Sequence, residues 1–66
     1  MKNIEQVVER LNVEFGGGVV LREHIKLHDE YDTPRYVITY QNIIVGSELV
    51  DEQFVRNNIL EIIRGE

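Results

Sequence analysis

The sequence predicts a small α+β domain: an antiparallel β-hairpin, with room for a third strand, packed against an N-terminal and a C-terminal helix. Three observations carry that expectation. Apolar residues recur at the helical period near both ends of the chain, they alternate with polar residues in the middle, and glycine or proline punctuates the changes of period.

Ile4, Val7, Val8, Leu11 and Phe15 form one narrow apolar stripe, while Glu5, Gln6, Glu9, Arg10 and Asn12 lie on the other side. This is an amphipathic helix. Asn3 is placed to cap it, and Gln6 three residues later completes a capping-box pattern. The run Gly16-Gly17-Gly18 ends it, because glycine accepts the left-handed conformation of a helix C-terminus.

From Val19 to His28 the period becomes two. Val19, Leu21, Ile25 and Leu27 alternate with Val20, Arg22, His24, Lys26 and His28, as on a half-buried strand. Asp29 to Pro34 holds turn-forming residues, and a second run rich in β-branched and aromatic side chains follows from Arg35 to Val45. Tyr36, Ile38 and Tyr40 share one face of it, and Val37, Thr39 and Gln41 the other. Gln41-Asn42 marks either a bulge or a tight turn into a short third strand. After Gly46, Ser47 is the expected cap of a last helix reaching Arg64, with Gly65 as its stop.

A chain of 66 residues holds one core, so residues 1–66 read as a single domain. There is no cysteine, which excludes disulfides, thiol catalysis and cysteine-based metal sites, and the cytoplasm is the expected compartment. No apolar run approaches the roughly 20 residues of a membrane span. The formal net charge of -5 repels a phosphate backbone and disfavours nucleic acid as a partner.

Local chemistry is sparse. His24 and His28 have the four-residue spacing of a helical metal pair, but on a strand they stand roughly 13 Å apart, too far for one ion. Asp29-Glu30-Tyr31-Asp32 lacks the alternating oxygen ligands and central glycine of a calcium loop. The three glycines follow a helix C-terminus and lead into a strand, the reverse of a phosphate loop. No hydroxyl sits in a nucleophile motif. Neither a cofactor nor a metal is therefore expected, and the chain reads as no enzyme.

Two surface features remain. Arg22, His24, Lys26 and His28, with Arg35 near the start of the next strand, concentrate positive charge on one sheet face. The last helix carries a broad apolar arc of Phe54, Val55, Ile59, Ile62 and Ile63, with Leu60 outside it and Asn58 within it. One helix face cannot bury so much against a hairpin. Together with Val20, Val37 and Ile43 on the sheet, Asn58 and Leu60 mark an expected dimer interface.

The expected function is that of a small intracellular binding protein, acting as a homodimer on a macromolecular partner through the basic sheet face or the hairpin edge. Two alternatives follow from the same residues. The cations could line an anion or nucleotide site completed at a dimer interface, or the acidic helices could meet a basic protein as an inhibitor or adaptor would.

Overall fold

The computed structural model describes residues 3–24 and 34–65. Helix α1 spans Ile4–Phe15, strands β1, β2 and β3 span Val19–Glu23, Tyr36–Tyr40 and Ile43–Ser47, and helix α2 spans Glu52–Arg64. The α+β fold has the expected helices at its ends and three antiparallel strands in the order β1-β2-β3.

Both helices lie on one face of the sheet. Val7 and Leu11 of α1 and Val55 and Ile59 of α2 are buried with Val19, Ile38, Tyr40 and Val45 in a single core. Phe15 adds a tilted ring contact to Tyr40, with centroids 6.4 Å apart. Gly46 lies opposite Ile38, and an alanine Cβ there would fall inside van der Waals contact of Val55 Cγ2. Only glycine lets α2 come this close to β3.

Gln41-Asn42 is a turn, with φ of 52° and 65°. Two positive φ values in a two-residue loop are the requirement of a type I′ hairpin, whose twist matches that of the strands. A bulge is present as well, further along β3: Thr39 pairs with Ile44 and Ile38 with Gly46, so Val45 has no Cα partner. That extra residue puts both Val45 and Gly46 on the helix side.

The cap of α2 is not Ser47. Asp51 takes that place and accepts from Phe54 N–H at 2.9 Å, while Ser47 closes β3 and its hydroxyl accepts from Leu49 N–H at 3.1 Å. Asn3 caps α1 as expected, accepting from Gln6 N–H at 3.2 Å, and Gly16 ends that helix with φ 77°. Glu48 belongs to neither helix. Its carboxylate accepts from the backbone N–H groups of Arg35 and Tyr36, the latter at 3.0 Å, and so fixes the entry to β2.

Asn12, read from its helical position as solvent-facing, is turned onto β1. Its Nδ2 donates to the Val19 carbonyl at 2.9 Å and its Oδ1 accepts from Val19 N–H at 2.8 Å. The side-chain amide thereby stands in for one residue of a neighbouring strand.

Candidate functional site

The register sorts the expected site residues. Val19, Leu21 and Glu23 face the helices with Tyr40, Ile38 and Tyr36, so Val20 and Arg22 point outward, opposite Thr39 and Val37. His24 continues the ladder through its N–H, which donates to the Arg35 carbonyl at 2.8 Å. Three of the five expected cationic residues, Arg22, His24 and Arg35, are thus gathered on the β1–β2 half of the sheet. Lys26 and His28 lie outside the described residues.

The five residues expected at a dimer interface do not share one surface. Val20 is exposed on the outward face, whereas Val37 beside it is only 7% exposed. Ile43 stands opposite Tyr40 on the helix side and is exposed, and Leu60 is half-buried on α2. Asn58 is engaged within its own chain, where its Nδ2 donates at 2.7 Å to the carbonyl of Val45, the residue that the bulge leaves without a Cα partner. An amide in the apolar arc of α2 is thereby satisfied, and so is the bulge.

Ile44 was missed by sequence reasoning because its outward direction depends on the position of the turn. It is 61% exposed and shares with His24, Val37, Val50, Phe54 and Asn58 an open groove along β3. Phe54 and Leu49 are exposed nearby in the chain. The β3 side of the molecule is therefore the more apolar one.

Charge is distributed unevenly. Across the helices, Arg10 pairs with Glu52 at 2.6 Å and Arg56 with Glu14 at 2.9 Å, and within α2 Arg56 pairs with Glu52 at 3.0 Å. The Arg10 hydrogen bond, helped by the charges of Arg10 and Arg56, holds the Glu52 carboxyl below the usual carboxylate range. Hydrogen bonds to Glu52 and Glu14 raise the Arg10 and Arg56 guanidiniums, respectively, above theirs. A groove of about 710 Å³ lined by Glu9, Arg10, Val13, Glu14, Glu52 and Arg56 lies over this network, with its cations already neutralised.

Arg22 and Arg35 are different. Neither guanidinium has a carboxylate within ion-pair distance among the described residues, and Glu48 meets Arg35 through the backbone. Arg22 makes a long hydrogen bond from Nε to Thr39 Oγ1, 3.4 Å, and its terminal nitrogens have no bonding partner among the described residues. The described residues contain no group of three or more histidines and carboxylates arranged to hold a metal ion, and no helix among them is long and apolar enough to cross a membrane. Comparison with protein-family models, with curated proteins and with solved structures finds no match for this chain.

Proposed function

We propose that this chain is a non-enzymatic binding protein, acting as a homodimer, that holds an acidic macromolecular partner on the β1 half of its sheet. One observation carries the reading: every ion pair among the described residues knits helix to helix or lies within α2, whereas Arg22 and Arg35 beside the sheet have no ion-pair partner among those residues. Desolvating an unpaired guanidinium becomes favourable when the partner supplies the carboxylate. Exposed Ile44 and Phe54 along the β3 groove give the second, apolar surface on which two copies would meet.

Sedimentation equilibrium at micromolar concentration tests the dimer. The expected result is twice the chain mass, reduced to the chain mass by Ile44→Glu or Phe54→Glu, with circular dichroism unchanged in either variant. Leu60→Lys provides the comparison on the opposite side of α2 and weakens association only if that residue is in the interface. A monomer at all concentrations overturns the dimer. Affinity capture from the native host tests the partner, and bait carrying Arg22→Glu and Arg35→Glu should lose whatever the unaltered chain retains.

A further inference from the structure

The outer edge of β1 stands apart when its backbone hydrogen bonds are counted. His24 N–H bonds toward β2, so Val20, Arg22 and His24 turn their backbone groups inward, and antiparallel alternation turns those of Val19, Leu21 and Glu23 outward. Asn12 occupies both groups of Val19. Among the described residues, nothing takes the outward groups of Leu21 or Glu23, the first half-buried and the second exposed. Two successive open pairs on an edge strand are a template for an added strand.

A second copy suits this edge poorly. A two-fold arrangement that uses both open pairs places Arg22 against its own counterpart in a non-hydrogen-bonded pair, where facing Cα atoms are only about 4.5 Å apart. Centring on Leu21 instead brings Glu23 opposite Val19, whose groups are already held. Centring on Glu23 sets like carboxylates face to face. Each of these registers, set by the described residues, thus wastes bonds or opposes like charges, while a strand with a carboxylate opposite Arg22 does neither.

We propose that β1 receives an extended segment of another protein as an antiparallel fourth strand, bonded at Leu21 and Glu23 and bearing an acidic side chain opposite Arg22. This rests on the binding-protein reading and names its partner's chemistry. Asn12 sets the end of the docked segment, since no further backbone bond is available at Val19.

The probe is a terminally blocked peptide of alternating valine and threonine with one central glutamate, added to the ¹⁵N-labelled full chain. Saturable binding should shift the Leu21 and Glu23 amides and slow their exchange by about tenfold or more. Replacing the glutamate by lysine should weaken binding about two- to fivefold. N-methylation of the peptide amides on its bonding edge should abolish it, and Arg22→Glu should invert the preference between the two peptides. Absence of saturable binding overturns the proposal, as does binding that leaves exchange at Leu21 and Glu23 unchanged. Concentration-dependent protection of those amides in the free protein also overturns it, because a second copy then holds the edge. Binding of the acidic peptide without edge protection would sink strand addition alone, whereas retention of partners by bait carrying Arg22→Glu and Arg35→Glu would sink the broader reading.

Discussion

The two edges of the sheet are finished in different ways. At β3 the chain bulges at Val45, α2 packs against Gly46, and Asn58 and Val50 take the carbonyls of Val45 and Ser47. At β1 a single side chain, Asn12, closes one residue, and the next two outward pairs have no partner among the described residues. The first edge is interrupted, keeping one outward residue, Ile44, between turn and bulge, whereas the second keeps two in succession among the described residues. An edge strand that is neither covered nor bulged is a recognition surface or an aggregation hazard, and the exposed charges of Arg22 and Glu23 guard against the latter.

Changes at the β3 side should cost stability, in an order set by burial. Ile59→Ala removes a fully buried side chain that joins α2 to the sheet, and should cost about 3 kcal/mol or more, enough to leave a domain this small largely unfolded. Chemical denaturation reads it. Gly46→Ala forces Val55 and α2 away from β3 and should cost about 1 to 3 kcal/mol, seen as a lower denaturation midpoint with a native-like slope. Asn58→Ala orphans the Val45 carbonyl and should cost about 1 to 2 kcal/mol, with faster amide exchange confined to β3 and the first half of α2.

The β1 side should respond in a contrasting manner. Asn12→Ala is expected to cost about 1 kcal/mol and to extend the open edge by one residue pair, so a docked peptide should take over protection of the Val19 amide from the lost side chain. If Asn12→Ala and Asn58→Ala give the same pattern of exchange, the distinction between the two edges fails.

The smallest effect lies between the helices. Glu52 has a lowered folded-state value, so its contribution is present above the unfolded carboxylate range and is lost as pH falls through the lower folded value. Glu52→Gln should remove that acid sensitivity and cost under about 1 kcal/mol at neutral pH, less in high salt, because the network is partly exposed. Denaturation midpoints measured across the acid range would show it.

Local pattern made both helices, two strands and the single helical face legible from sequence. What it could not show is tertiary. Gln41-Asn42 left bulge and turn equally open because neither residue is glycine, and the structure contains both devices at different positions. Ser47 and Asp51 are both competent caps, and the choice falls to Asp51 because the third strand consumes Ser47. Asn12 reads as a surface residue by its helical position, and only the return of the chain at Val19 gives its amide a partner. The basic face was legible at Arg22, His24 and Arg35, but the groups that decide its chemistry, the open backbone of Leu21 and Glu23, carry no residue-type signal at all.

The clamp between Asn12 and Val19 has a consequence for how the chain tolerates change. Helix and strand are joined twice, covalently through Gly16–Gly18 and again by an amide that grips the strand directly. Loop length and strand alignment are thereby uncoupled. An extra glycine in that run should enlarge the loop at an entropic cost of well under about 1 kcal/mol while Val19 stays in place against Asn12, which makes the connection a natural point for insertion or for new chain termini.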